Sequence, residues 1–337
     1  MSELFHKLCL IRTPGIGPAK YAQLIRQFGS AAAACAAAPN EDVADSVRRE
    51  MDRAAQMNIH YICDDDPRYP ASLRMIKIHP PVITARGNID TLSRCAVAIV
   101  GTRHATAAGM TFMADLAREF AARGYAVASG MAMGTDTAAH RGALRAGGDA
   151  QTIAVLAGGV DYIWPVENES LYWDIVDRGV VISEMPVGFA PTANNFVQRN
   201  RWVAGICDKL IVGEADMKSG SMTTARFAIE SNRPVFAVPS HPSDARAAGP
   251  NSLIRDGHAT ICTGISDFFD GNAAPKIKNE KNVTSENILL DRLGMIPLSE
   301  SVLSDVVKKS ISEIKRELVV LELQGLVRKV DGGYVRI

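Results

Sequence analysis

The chain has 337 residues, 47% of them hydrophobic, and its 37 basic and 37 acidic side chains cancel to a formal net charge of zero. That length holds two or three domains at about 100–200 residues each, and the neutral total excludes a histone-like polycation, so any grip on nucleic acid must come from Lys and Arg gathered on one face. The cysteines, Cys9, Cys35, Cys63, Cys95, Cys207 and Cys262, form no C-x-x-C pair and no His stands at metal-like spacing, which speaks against a disulfide framework or a metal site and for a reducing cytoplasm.

The N-terminus shows no charged-then-apolar signal pattern, and the alanine-rich run over residues 31–38 is too short and too weakly apolar to span a bilayer. A soluble cytoplasmic protein without membrane partners is expected. Residues 4–10 predict a helix, followed by Gly15, Ile16 and Gly17 and then by Tyr21, Leu24, Ile25 and Phe28 at helical spacing. Two helices around such a turn have the form of a helix–hairpin–helix, whose amides can face a phosphate. A plain αα-hairpin that needs glycine for a positive φ accounts for the pattern equally well. Helix continues to about Met57, and the proline-punctuated residues 66–81 read as connection.

From Cys95 onward, short β-branched runs alternate with helical segments. Strands are expected over residues 96–100, 125–129, 152–156, 180–183, 209–212, 234–238 and 259–261. This alternation predicts an α/β fold with a mostly parallel sheet covered on both faces, in which ligands collect beyond the carboxyl ends of the strands. Polar, glycine-bearing loops fall at those ends, over residues 101–103, 130–136, 158–161 and 218–224. None matches the dinucleotide or Walker patterns, so no nucleotide cofactor is expected. The loops read as phosphate-sized cups for a chain of phosphates. Arg199 and Arg201 add charge with no carboxylate nearby, and the stretch contains no nucleophile–base pair.

These residues carry a family resemblance. Gly101, Thr102 and Arg103, then Gly130, Gly134, Thr135, Asp136 and His140, then Gly158, Gly159 and Asp161, then Arg199, Asn200 and Arg201, then Ser219, Gly220 and Ser221 keep the order of the DNA-processing protein A family, also called DprA or Smf, over about 170 residues. The resemblance implies an extended Rossmann-like core without established catalysis, flanked by an N-terminal helical domain (helix-hairpin-helix or SAM-like) and a C-terminal winged helix. It further implies a homodimer that binds single-stranded DNA, protects it during natural transformation and loads the RecA recombinase. The implied DNA pocket comprises the Arg of the Gly-Thr-Arg turn, the Arg-Asn-Arg start of a helix and the Ser-Gly-Ser loop. One departure is that residues 188–198 lack the basic residue some members carry there.

The candidate DNA-binding set is Gly101, Thr102, Arg103, Gly130, Gly134, Thr135, Phe196, Arg199, Asn200, Arg201, Lys218, Ser219, Gly220 and Ser221. Arg103 suits a phosphate contact or a structural ion pair. Arg199 and Arg201 fall on different helix faces, and Arg199 is the one expected on DNA, so that Arg103→Ala or Arg199→Ala weakens oligo-dT binding and leaves the fold intact. Asn200 suits loop-holding better than base contact, and Asp136 with His140 suits a hydrogen-bonded pair that fixes a loop. Lys218, Ser219, Gly220 and Ser221 form an anion cup or a capped turn. Phe196, placed before the helix, and Trp202 are core residues or stacking surfaces.

The expected boundaries are 1–75 for the helical domain, 76–271 for the core, 272–285 for a polar linker and 286–337 for the winged helix. The last has helices over 288–293, 298–307 and 311–323 and a hairpin around Gly332 and Gly333, with Lys315 and Arg316 on the candidate reading helix. The rival reading is a nucleoside-phosphate enzyme like the lysine-decarboxylase-like phosphoribohydrolases. Their Pro-Gly-Gly-x-Gly-Thr-x-x-Glu motif is replaced here by residues 219–224, and Glu230 lies too far on to supply the acid.

Overall fold

The computed structural model describes residues 2–147, 152–269, 289–290, 293, 297–330 and 332–336. It divides into two compact units, Met1–Asn272 and Ala273–Ile337.

The first unit opens with four helices, α1 (Glu3–Arg12), α2 (Pro18–Phe28), α3 (Ala31–Ala37) and α4 (Glu41–Gln56). Gly15, at φ +82°, makes the turn between α1 and α2, and Pro18 then stands at the first helical position, where its missing N–H costs nothing. Phe5, Leu8 and Cys9 of α1 pack with Val47 of α4 and Val82 of the core. Arg12 donates to both carboxylate oxygens of Glu50 from Nε and Nη2, each at 2.9 Å.

The core adds β1 (His60–Cys63), α5 (Ala71–Arg74), β2 (Val82–Gly87), β3 (Ala96–Val100), α6 (Ala107–Ala122), β4 (Ala126–Ser129), α7 (Thr135–Arg145) and β5 (Thr152–Val155). It continues through α8 (Glu169–Arg178), β6 (Val180–Ser183), α9 (Ala193–Ile206), β7 (Lys209–Val212), α10 (Gly220–Glu230), β8 (Val235–Ala237), α11 (Ala248–Arg255) and β9 (Thr260–Ile261). The nine strands lie in the order β1-β2-β6-β5-β4-β3-β7-β8-β9. Every pair from β6 to β9 is parallel, and β1 and β2 close one edge antiparallel.

Strand β3 is buried along its whole length, as its Ala-Val-Ala-Ile-Val sequence requires of a central strand. Its alternation sends Ala96, Ala98 and Val100 toward α9 and α10, and Val97 and Ile99 toward α6 and α7. A Cβ at Gly142 would collide with the Ala114 backbone, so α6 and α7 pack backbone to backbone there. The chain runs from β3 to β6 on one side and then crosses to β7 on the other, which makes the carboxyl ends of β3 and β7 a topological switch point.

Two expectations change. Residues 60–63 and 82–87, to which no element was assigned, are strands, and the expected connection over 66–81 between them contains one short helix, α5. The helix carrying Arg199 begins at Ala193, because Thr192 and Asn195 form a reciprocal capping box. Phe196 therefore lies inside that helix, and Arg199, Asn200 and Arg201 stand in its middle.

In the second unit, α12 (Glu300–Val307) and α13 (Ile311–Leu323) are followed by the antiparallel pair β10 (Val327–Val330) and β11 (Gly333–Arg336). Leu303, Ile314, Leu318 and Tyr334 form its core with Leu289, Leu290 and Leu293. The expected linker, and half of the helix over 288–293, lie outside the described residues. No helix among the described residues is long and apolar enough to cross a membrane.

Candidate nucleic-acid interface

At the switch point the loops after β3, β4 and β7 meet α9 around a crevice of about 360 Å³. Among the anticipated residues, Gly101, Thr102, Arg103, Gly130, Phe196, Arg199, Asn200, Ser219, Gly220 and Ser221 line it. Gly134, Thr135, Arg201 and Lys218 do not.

The helix N-termini around the crevice differ in what satisfies them. At α6, the Glu214 carboxylate accepts from the Thr106 amide at 2.7 Å and from its hydroxyl. At the β4–α7 loop, Asp136 Oδ2 accepts from the Gly130 and Ala132 amides at 3.1 and 3.2 Å. α9 has its own capping box. α7, with Gly134 at its N-cap, and α10 both open without a side-chain cap. At α10, Ser219 makes no capping bond, its hydroxyl is buried without a partner, and the Ser221 hydroxyl instead donates to the Gly101 carbonyl at 2.7 Å. Unsatisfied amides and the positive end of the helix dipole make that terminus an anion site.

Arg103 is exposed, has no ion-pair partner among the described residues, and holds its guanidinium 5.2 Å from the centre of the Trp164 ring. Trp164 in turn meets Phe196 edge-on at 4.5 Å. One wall thus presents a free cation against two aromatic rings, the combination that single-strand binders use for phosphates and bases. Trp164 was not anticipated. Its signal in the sequence was an aromatic in the glycine-rich loop that follows β5.

Arg199 has a different environment. Only 6% exposed, it donates from Nη1 to the Gly130 carbonyl and to the Val155 carbonyl at 2.6 Å. Burial pulls its pKa down to about 10, and the nearby Asp136 pulls the other way. Burial likewise raises the Asp136 pKa, against Arg199 and the two amides. A Cβ at Gly130 would lie 2.7 Å from the Arg199 Cζ, so a larger residue there would push the guanidinium from its place under the loop. Arg199 thus forms the floor of the crevice, and the exposed member of the pair is Arg201.

Asn200 donates to the Gly220 carbonyl at 3.3 Å and so ties α9 to the α10 loop. Gly134, at φ +76°, and the buried Thr135 sit behind the Gly101–Arg103 turn, with the Thr135 amide donating to the Thr102 carbonyl at 3.2 Å. A Cβ at Gly134 would come within 2.5 Å of that carbonyl. Lys218 is exposed beside the α10 loop. Trp202 is buried, as a core residue.

Asp136 and His140 do not form the pair their spacing suggested. His140 is wholly buried, with Nδ1 2.7 Å from the Thr152 hydroxyl, and Asp136 serves the loop. Burial lowers the His140 pKa from 6.5 to about 3. Because the unfolded chain binds that proton near pH 6.5 and the folded chain does not, this residue's contribution to stability is lost as pH falls from about 6.5 toward 3, by up to about 1.4 kcal/mol per pH unit. Asp136, with its raised pKa, acts in the opposite direction. The expected result is that thermal midpoints of the parent chain between pH 7 and 4 fall more steeply than those of His140→Asn; parallel curves would show that His140 is not the titrating group.

A doubly wound parallel core behind an N-terminal helical hairpin, with its crevice at the switch point, defines a Rossmann-like protein with an appended helical domain. Residues 60–272 match the model of the DNA recombination-mediator protein A family, and residues 1–59 match that of the DprA-like N-terminal HHH domain. The chain belongs to the DNA recombination-mediator protein A family. It is 36% identical over 74% of its length to Protein Smf of Synechocystis, and that match covers 57% of the relative. DNA processing protein A of Streptococcus pneumoniae superposes with a TM-score of 0.65 at 30% identity, over 79% of this chain and 96% of that one. DNA processing protein A of Helicobacter pylori, described as having a unique single-stranded DNA binding mode, superposes with a TM-score of 0.57 at 30% identity, over 64% of this chain and 95% of that one.

Proposed function

We propose that this protein binds single-stranded DNA without catalysis, shelters it during natural transformation and, as a homodimer, hands it to a RecA-type recombinase. The observation that carries the reading is the uncapped N-terminus of α10 facing the free Arg103 guanidinium, with Trp164 and Phe196 alongside. Phosphates fit the first pair and bases the second. The α6 terminus, where a doubly wound fold commonly holds a nucleotide phosphate, is filled by Glu214. The relatives support the reading: the family bears the name of a recombination mediator, and the Helicobacter pylori protein is described as binding single-stranded DNA. The second unit, with two helices and a hairpin, suits the winged helix expected of the C-terminus.

The test is fluorescence anisotropy of labelled oligo-dT and of a duplex of equal length at two salt concentrations. Tighter binding to the single strand is expected, with log affinity falling against log salt at about −0.7 per phosphate contacted. Equal affinity for both forms, or binding indifferent to salt, would overturn the proposal. Release of free base from nucleoside monophosphates would instead favour the enzyme reading.

A further inference from the structure

A second and larger cleft, of about 710 Å³, lies between the α1–α2 hairpin and the core. Its volume is that of a small-molecule site, and the crevice just described does not account for it. The walls are apolar, with Ile11 and Ile16 from the hairpin facing Pro80, Met185, Pro186 and Phe227 of the core. Cations stand among the lining residues as well. Lys20 is exposed in the first turn of α2, and Arg201 is exposed on α9 with its guanidinium 5.2 Å from the centre of the Phe227 ring.

Helix α9 separates the two clefts and serves both. Phe196, Arg199, Asn200 and Val203 recur at spacings of three and four and face the crevice, whereas Gln198, Arg201 and Trp202 face the second cleft. Val197, half exposed, lines both. A helix with its side chains is about 10–12 Å across, so the ridge between the sites is narrow and its crest is apolar.

We propose that the second cleft takes up bases of the same DNA strand whose phosphates occupy the crevice, the strand crossing α9 over Val197 between Arg201 and Lys20. This rests on the single-strand reading and extends it by a second site. The occupant is argued from continuity and charge. The cleft adjoins the anion-binding crevice directly, the cations suit phosphates flanking an inserted base, and the apolar walls suit a base plane. Glu184 is the one acid among the lining residues. Burial raises its pKa, and Trp202, Arg12 and Arg201 pull the other way. Arg12 does not count toward the charge, because Glu50 neutralises it.

The experiment uses the full chain and a length series of oligo-dT, with 4-thiothymidine placed along the longer members for photocrosslinking. The wild-type protein gains affinity with length beyond the shortest oligonucleotide that fills the crevice. The double variant Lys20→Glu, Arg201→Glu, both positions being exposed, loses that gain by about fivefold or more and keeps its affinity for the shortest oligonucleotide. Crosslinks map to peptides carrying Ile11 to Lys20, Met185 or Phe227. Retention of the full length-dependent gain by the double variant, or crosslinks confined to the crevice loops, overturns the proposal, as it would if the cleft received a peptide or a second copy of the chain. Arg103→Ala separates the two readings: it weakens short and long oligonucleotides together, so unchanged short-oligonucleotide binding in that variant counts against the crevice and not against the cleft.

Discussion

Arg199→Met lowers the thermal midpoint of the first unit by roughly 10 °C. The guanidinium is buried beside Asp136 and satisfies the Gly130 and Val155 carbonyls, while Asp136 holds the Gly130 and Ala132 amides. Methionine fills much of the volume but leaves a buried carboxylate without its counter-charge and two carbonyls without a donor. Each buried polar group left without its partner costs about 1–3 kcal/mol, and each kcal/mol is worth about 2–4 °C in a domain of this size. Asp136→Asn in the same background recovers part of the loss, because it removes the uncompensated charge and keeps an oxygen for the amides. Circular dichroism melts of the two variants check this. A midpoint within a degree or two of the parent would show that the buried Arg199 guanidinium is dispensable to the fold. This outcome departs from the expectation that Arg199→Ala leaves the fold intact, and it means that lost DNA binding in such a variant reports on folding first.

The parallel core was legible because its strands are buried on both faces. Continuous β-branched or alanine runs such as Ala96–Val100, Val180–Ser183 and Lys209–Val212 have no reading as solvated elements, and their bounds match the expectation to the residue. The antiparallel edge was not legible: β1 and β2 are separated by Pro67, Pro70, Pro80 and Pro81, which read as loop. The start of α9 was hidden because its capping box uses Asn195 in place of Glu or Gln. Gathering the glycine-bearing turns at one rim followed from parallel strands alone. Which helix ends are closed did not, since Glu214 reaches Thr106 across 108 positions and no local pattern records such a contact. The same limit explains Arg199, whose burial depends on the β4 and β5 loops passing over it.

Arg103→Ala weakens oligo-dT binding about tenfold or more and leaves the thermal midpoint unchanged. The side chain is exposed and forms no ion pair among the described residues, and exposed positions of this kind move stability by about 0.5 kcal/mol or less. Its loss removes a charge-assisted phosphate contact, worth about 1.5–3 kcal/mol, and uncovers the Trp164 face. The slope of log affinity against log salt becomes shallower by about 0.7, one phosphate's share. Arg103→Lys distinguishes charge from shape: an ammonium restores the slope, yet it lacks the planar guanidinium held over Trp164 and regains only part of the affinity. Trp164→Ala gives the complementary result, a loss of affinity at unchanged slope, since a ring contributes stacking and no counterion release. Anisotropy titrations of the three variants at about 50 and 200 mM salt separate these contributions. If Arg103→Ala binds with parental affinity and parental slope, the strand does not run through this crevice, and the open end of α10 must serve another anion.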